Sequence, residues 1–195
     1  VMQGVRGGGG AVVRGPGRLA GAEARRVQAA PAAGEAATVV WDGRGAARAG
    51  AAFAAAKQID NLGAHDGDNP AKGHIGCGGV PALCAFAEHM PQLTARDALT
   101  ALTMSYEVAA RAGIALHATA DDYHTSGAWN ALGVAALGCR LRGHSPDRLR
   151  HALGIAEYHG PRSQMMREIA NPTMLHDGSG MGALVGMMAV LLAED

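Results

Sequence analysis

The stretch HDGDNPAKGHIGCGGVPAL, residues 65–83, combines acidic, basic and imidazole side chains with glycine-rich backbone and then becomes apolar. Glycine lets the backbone approach a ligand closely, so a loop of this kind can hold polar side chains around a small anion. Proline is tolerated in the first turn of a helix, and the sequence therefore predicts a helix from about Val80 to His89. The other interpretation of this stretch is a polar surface loop with incidental histidines.

Two further polar segments stand directly before apolar helices. Residues 121–129, DDYHTSGAW, precede a helix predicted over 130–141, whose glycines and alanines would allow tight packing. Residues 172–180, PTMLHDGSG, precede a last helix from Met181. The aromatic content of 4% is low and favours close-packed helices over a sheet sandwich, so the predicted fold is all-α, a helical-bundle domain. The other predicted elements are a β-prone run at 38–41, a short helix at 19–29, and helices at 44–59, 95–113 and 148–157, the last two capped by Thr94 and Ser145.

Composition and charge narrow the function classes. The 195 residues include 48% hydrophobic side chains and have a formal net charge of +0, which allows one core and does not favour nucleic acid or anionic membranes as partners. Cys77, Cys84 and Cys139 form no CxxC pair, which indicates small buried thiols in a reducing compartment, so the predicted location is cytoplasmic. The start of the sequence lacks a signal-peptide pattern, and the apolar run 181–193 is too short to cross a bilayer.

The chain divides by composition into two parts. Residues 1–35 are rich in glycine, arginine and alanine without a sustained apolar period, and we predict no well-specified fold for them. Residues 36–195 carry the predicted helices and all three polar segments, and form the predicted helical domain.

Histidines in the three polar segments are the candidate acid–base groups. His65, His74, His124 and His176 lie there, and histidine is the side chain best suited to proton transfer near neutral pH. The sequence contains no HExxH, HxH or CxxC motif, so no metal site is predicted. The glycine run at residues 7–10 is not followed by Lys-Ser or Lys-Thr, so no nucleotide cofactor is predicted either.

These segments resemble the MmgE/PrpD family, which includes 2-methylcitrate dehydratase, cis-aconitate decarboxylase and iminodisuccinate epimerase. The resemblance covers about residues 44–193 and is closer to the epimerase-type branch than to the methylcitrate dehydratases. It implies an all-helical domain, normally completed by a second α/β domain that residues 36–195 lack. It also implies a homodimer and cofactor-independent chemistry on small di- or tricarboxylates. The motifs that carry it are HDG, KGH and PAL at 65–67, 72–74 and 81–83, YHTSG at 123–127, RSQMMR at 162–167, and DGSG at 177–180.

Site residues follow from the resemblance together with the side-chain chemistry. The family keeps catalytic or substrate-contacting residues at the positions of Asp66 or Asp68, His74 and His124, and it has a lysine where this chain has His176. The predicted catalytic residues are Asp66, His74, His124 and His176. The predicted substrate-binding residues are His65, Asp68, Lys72, Tyr123, Ser126 and Arg162. In this prediction His74 and His124 exchange the proton, Asp66 orients them, and Lys72 and Arg162 hold carboxylates.

The predicted function is therefore that of a lyase or isomerase that moves a proton next to a carboxylate, by dehydration, decarboxylation or epimerisation. The alternative is a catalytically inactive, truncated family member that binds carboxylates or acts as a helical interaction module. In that case apolar residues of the last helix would be exposed and would drive association. The residues concerned are Met187, Met188, Val190 and Leu191.

Overall fold

The structure is a computed structural model that describes residues 36–40, 43–171 and 176–194. Within these residues the chain forms seven helices and two short β-hairpins, which confirms the predicted all-α class. The helices are α1 Arg48–Asn61, α2 Gly76–Ala87, α3 Ala95–Thr119, α4 Gly127–Leu141, α5 Pro146–His159, α6 Met165–Ala170 and α7 Ser179–Leu192. The strands are β1 Ala36–Thr38, β2 Gly45–Ala47, β3 Gly67–Asp68 and β4 Gly73–His74, with β1 antiparallel to β2 and β3 antiparallel to β4.

Helix α4 lies at the centre of the domain and packs against α2, α3, α5 and α7. Its glycines make this possible, as the sequence predicts. A Cβ atom at Gly133 would lie 2.8 Å from the Ser105 carbonyl oxygen of α3, and one at Gly138 would lie 2.6 Å from Val190 Cγ2 of α7. Small residues therefore let three helix backbones approach one another closely.

Two hydrophobic clusters form the core. The larger one joins all the helices except α6 with the first hairpin, and its largest fully buried side chains include Phe86, Leu137 and Met187. The smaller one surrounds Trp129 and Ile75 beneath the loop that carries His74. The polar loops thus lie on a packed base, which holds their side chains in place.

Several predicted boundaries are wrong, and packing explains them. The sequence predicts a β-prone run at 38–41, but the strand β1 spans Ala36–Thr38. Helix α1 begins at Arg48 and not at residue 44, because the strand β2 occupies Gly45–Ala47. Helix α3 continues past Gly113 to Thr119, because Gly113 is buried against Trp129 and does not end the helix. Trp41, Asp42 and the predicted helix at 19–29 lie outside the described residues.

Helices α2, α4 and α7 each begin earlier than predicted, yet each follows a polar segment as the sequence indicates. Gly76 already belongs to α2, and only glycine fits there, because a Cβ atom would lie 2.2 Å from the Tyr106 hydroxyl of α3. The two predicted caps are confirmed. Thr94 Oγ1 accepts a hydrogen bond of 3.1 Å from the Asp97 amide, and Ser145 Oγ accepts one of 3.3 Å from the Arg148 amide.

The structure also bears on the predicted burial of the cysteines, on the predicted apolar surface of the last helix and on membrane-spanning helices. Cys77 and Cys139 are buried free thiols as predicted, whereas Cys84 is free but exposed on α2, so that part of the prediction is wrong. Met187 and Val190 are fully buried, so the expectation that they form an exposed apolar surface is also wrong. Over the residues that the structure describes, we find no helix with both the length and the apolar character needed to cross a membrane.

Candidate active site

Three polar loops meet at one end of the bundle. They are the first polar loop (62–75), the second (120–126) and the third (176–178 in the described structure). The His74 amide donates a 3.0 Å hydrogen bond to Ser126 Oγ, and the Ser126 amide donates a 2.9 Å hydrogen bond to Asp177 Oδ1. Ser126 therefore joins all three loops, and it is buried.

The residues that we name the His74 cluster are His65, His74, His176, Asp60 and Asp177. The imidazole rings of His65 and His74 stack in parallel with centroids 3.7 Å apart, and the ring of His176 lies 6.3 Å from that of His65. Asp60, from α1, and Asp177, from the third polar loop, lie on the buried side of His74. Three predicted site residues are thus brought together with two carboxyl groups that were not among the predicted site residues, although Asp177 belongs to the DGSG motif.

Asp177 is held so that one oxygen faces His74. Its Oδ1 accepts hydrogen bonds from the Thr125 hydroxyl and from the amides of Ser126 and Gly178. Its Oδ2 lies 3.0 Å from His74 Nδ1. Burial raises the pKa of Asp177, but the contacts with His74, Ser126 and Thr125 outweigh burial and hold the pKa well below its ordinary value. Asp177 is therefore an ionised, oriented carboxylate.

Asp60 differs from Asp177 both in its hydrogen bonding and in the direction of its pKa shift. It is fully buried, its Oδ1 lies 3.9 Å from His74 Nδ1, and within the described residues neither oxygen makes a hydrogen bond of good geometry. Burial and the charge of Asp177 raise the pKa of Asp60 to about 7, although Lys57, His74 and the Ser179 hydroxyl lower it in part. Two neighbouring carboxyls thus have pKa values displaced in opposite directions.

The stacked imidazoles also differ. Burial lowers the pKa of His74, but its close polar contact with Asp177 and the negative charges of Asp177, Asp60 and Glu168 together outweigh burial and raise it. Burial lowers the pKa of His65, and the neighbouring His74 and His176 lower it further. The pKa of His74 is thus raised and that of His65 is lowered, and such a divergence between neighbouring groups is typical of acid–base sites.

Lys57 supports the third polar loop from α1. Its side chain is buried, and Nζ donates hydrogen bonds of 2.8 Å to the Asp177 carbonyl oxygen and 3.4 Å to that of His176. A Cβ atom at Gly180 would lie 2.7 Å from Lys57 Cγ, so this glycine leaves room for the lysine stem. The sequence signal that we missed was a lysine and an aspartate, Asp60, inside an alanine-rich helix.

The second group of interest, the His124 cluster, consists of His117, Tyr123 and His124. His117 Nε2 accepts a 3.1 Å hydrogen bond from the His124 amide, so Nδ1 carries the proton and donates a 2.9 Å bond to the Ala71 carbonyl oxygen. Burial is the main reason that the pKa of His117 is lowered, consistent with this neutral form. His117, which sequence reasoning missed, therefore positions the backbone of His124.

The two predicted members of the His124 cluster are anchored at one end. The Tyr123 hydroxyl donates a 2.7 Å hydrogen bond to the Lys72 carbonyl oxygen, which ties the first and second polar loops together. His124 Nδ1 lies 2.7 Å from the Asp122 carbonyl oxygen, and because a carbonyl can only accept, Nδ1 is the donor. In the neutral form of His124, Nε2 then has a free lone pair and can accept a proton.

Other predicted site residues bind within the scaffold. Asp66 Oδ2 accepts a 2.6 Å hydrogen bond from the Tyr106 hydroxyl, and Asp68 Oδ2 accepts a 2.8 Å bond from the Ala71 amide. The carboxylate that faces His74 is thus Asp177, not Asp66 as our orienting hypothesis supposed. The structure does not bring Arg162 to either cluster, since its guanidinium bonds Glu157 on an exposed surface.

Strained backbone occurs at these same loops. Among the described residues other than glycine, positive φ angles occur at Asp66 (+56°), Lys72 (+58°) and Asp177 (+47°). Such conformations cost free energy for residues with a Cβ atom, and they persist where the surrounding contacts impose them. The first and third polar loops are therefore held in shapes that tertiary contacts, rather than local preference, impose.

A cavity of about 330 Å³ opens beside Asp177, next to α6. Its polar lining includes Arg167 and Glu168, and Glu168 Oε2 accepts a 2.9 Å hydrogen bond from the Asp177 amide. The volume lies at the lower end of the range for small-molecule sites.

A metal centre is a second chemical possibility for part of the His74 cluster. Ligand atoms of Asp60, His74 and Cys77 lie within 4.8 Å of one another. The Cys77 thiol, however, donates a 3.0 Å hydrogen bond to Ser179 Oγ, and burial raises its pKa well above the ordinary value. Because metals bind the thiolate, this donor set fits protons better than a cation.

Comparison with known proteins identifies the domain. The family model described as the MmgE/PrpD N-terminal domain matches residues 9–195. The chain belongs to the MmgE/PrpD family. No curated protein matches the chain significantly. The resemblance to the family is thereby confirmed. Of the motifs that suggested it, HDG, KGH, most of YHTSG and the start of DGSG lie in the polar loops, whereas PAL lies in α2 and RSQMMR runs into α6.

Proposed function

We propose that this MmgE/PrpD domain serves a lyase or isomerase reaction on a small di- or tricarboxylate, in which a proton moves at the carbon next to a carboxylate. The observation that carries the proposal is His74, stacked on one imidazole and backed by two buried carboxyls. Dehydration and epimerisation remove a proton from that carbon, whereas decarboxylation breaks a C–C bond, releases carbon dioxide and needs a proton delivered to the carbon that remains.

His74 supplies the acid–base chemistry. A base is most effective when its pKa lies near the working pH, and the carboxylates beside His74 raise its pKa from the ordinary histidine value. In the proposed step Nε2 takes the proton, and the electron pair of the broken C–H bond moves into the adjacent carboxylate as an enolate. The protonated His74 then returns the proton to carbon or gives it to a leaving group.

Cationic and hydrogen-bonding groups supply the anion binding. Lys72 is exposed on the first polar loop, His65 stacks on His74, and His176 lies next to His65. Preorganised donors that face developing negative charge lower the barrier to enolate formation. His124, with Nδ1 bound to a backbone carbonyl, is the proposed second proton carrier.

Two measurements test the proposal. In a thermal-shift assay with a panel of di- and tricarboxylates, at least one compound should raise the melting temperature of the protein, because a ligand that binds only the folded state stabilises it. In D2O that compound should exchange the hydrogen next to its carboxylate, which ¹H NMR follows directly. His74→Gln should slow the exchange by about 100-fold or more. The matched control is His151→Gln, since His151 is an exposed histidine on α5.

The outcomes separate the candidate functions. Exchange that His74→Gln leaves unchanged would contradict the proposed role of His74. A compound that stabilises the domain without exchanging would instead support an inactive carboxylate-binding domain. The homodimer, the cytoplasmic location and the absence of a cofactor stay predictions, which sedimentation, localisation and metal analysis would test.

A further inference from the structure

One buried nitrogen atom, His74 Nδ1, faces two carboxyl groups at once. Asp177 Oδ2 lies 3.0 Å from it and Asp60 Oδ1 lies 3.9 Å from it. Both carboxyls are almost fully buried, and although they are far apart in sequence they lie by the same ring nitrogen. His74 Nδ1 and three of these four oxygens, Asp60 Oδ1, Asp60 Oδ2 and Asp177 Oδ2, lie close together but make no hydrogen bond of good geometry within the described residues.

The direction of Asp177 is set by its surroundings. Three donors occupy Oδ1, the Glu168 carboxylate accepts from the Asp177 amide, and Lys57 donates to the Asp177 carbonyl oxygen. The residue is also held at a positive φ. With every other polar atom of Asp177 bound, Oδ2 is the one oxygen left to interact with His74.

Buried carboxyls without hydrogen bonds are costly unless a proton or an opposite charge compensates them. Of the ionisable groups around Asp60 and Asp177, Lys57 is committed to two backbone carbonyl oxygens and the Cys77 thiol donates to Ser179. His65 and His176 lie beyond His74 in the stack. A proton on His74 Nδ1 therefore compensates the ionised Asp177 carboxylate, 3.0 Å away, and also faces Asp60 once that carboxyl has lost its own proton.

We propose that Asp60 and Asp177 are positioning residues that together keep a proton on Nδ1 of His74, so that His74 exchanges protons with substrate through Nε2 alone. The statement about Nε2 rests on the proposed function. The statement about the Nδ1 proton does not, and it can be tested without a substrate.

The test is side-chain ¹H–¹⁵N NMR of the uniformly ¹⁵N-labelled protein, which distinguishes the two neutral tautomers and the protonated form of each histidine. The His74 signals are assigned by their loss in His74→Gln. At high pH, neutral His74 should carry its proton on Nδ1. A proton on Nε2 there would overturn the proposal.

Variants then separate the two carboxyls. Asp60→Asn keeps the shape and Asp177, so His74 should keep the Nδ1 proton while its titration midpoint falls. An unchanged midpoint would overturn the role of Asp60. The matched control Asp147→Asn, an exposed aspartate of α5, should leave both readings unchanged. Asp177→Asn should lower the midpoint further and shift neutral His74 toward the Nε2 tautomer. If that variant unfolds, wild type and Asp60→Asn decide the question.

Two further measurements are the addition of zinc to the labelled protein and hydrogen exchange of the carboxylates. One equivalent of Zn²⁺ should leave the His74 spectrum unchanged. Loss of the Nδ1 proton on adding zinc would overturn the proposal and show a cation site. If the Nδ1 proton is present but no carboxylate exchanges hydrogen, the proposed function fails while the proton arrangement stands.

Discussion

The effect of Asp60→Asn on the free energy of unfolding should be more favourable at pH 8 than at pH 5. The reason is that the substitution removes a buried acid that resists ionisation. The pKa of Asp60 rises from 3.8 to about 7 in the folded state. The folded protein therefore binds more protons than the unfolded chain between these values, so the stability contribution of Asp60 falls as the pH rises through this interval. One pKa unit corresponds to about 1.4 kcal/mol, which makes the total effect on the free energy of unfolding ~4 kcal/mol.

The pH dependence is the informative quantity. Any constant effect of the amide, such as an unsatisfied NH₂ group, is the same at both pH values and cancels. The difference in unfolding free energy between Asp60→Asn and wild type should increase by ~2–3 kcal/mol from pH 5 to pH 8. Urea unfolding followed by circular dichroism measures it. Repeating the comparison in a His74→Gln background removes the contribution of the neighbouring imidazole.

The control with the opposite sign is Asp177→Asn. The pKa of Asp177 is held below its ordinary value, so its ionised form stabilises the fold at all pH values above that ordinary value and loses this effect only in acid. This variant should be less stable than wild type at both pH 5 and pH 8, by ~2–4 kcal/mol. A difference for Asp60→Asn that stays constant between pH 5 and pH 8 would refute our account of the buried pair.

Three further results are expected. Gly127→Ala should lower the free energy of unfolding by ~1–3 kcal/mol, because the new Cβ would lie 2.2 Å from a backbone carbonyl oxygen of the third polar loop. The control Gly154→Ala on α5, where a Cβ would have nothing within 4 Å, should be neutral or stabilising. Equal unfolding midpoints of the two variants would contradict this. Thr94→Ala should cost about 1 kcal/mol by removing the cap of α3, with Thr94→Ser as the control that keeps it, and an unaffected thermal midpoint would count against the cap. His176→Lys should strengthen carboxylate binding, since an ammonium on a longer stem places a full positive charge beside the ligand. If calorimetric titrations give the same affinity for both proteins, His176 does not contact the ligand.

Local features of the fold could be predicted because neighbouring residues decide them. The caps at Thr94 and Ser145 depend on a side chain and an amide three residues later, and the helices follow from runs of small apolar residues. The residues at which helices end are less predictable, because contacts from other helices influence them. Gly113 has the chemistry of a helix terminator, yet it lies inside α3 because Trp129 packs against it from another helix.

The sequence by itself determined that histidines lie in three glycine-rich loops before three helices, since residue order alone fixes this. Which groups meet was decided only by the tertiary structure. Asp60 looks like an ordinary helical residue, and it reaches His74 because α1 packs against α2 and α7. Asp177, rather than Asp66, faces His74 because Asp66 is bound by Tyr106 of α3. The pKa values of these groups depend on burial and on charges distant in sequence, and no local pattern encodes either quantity.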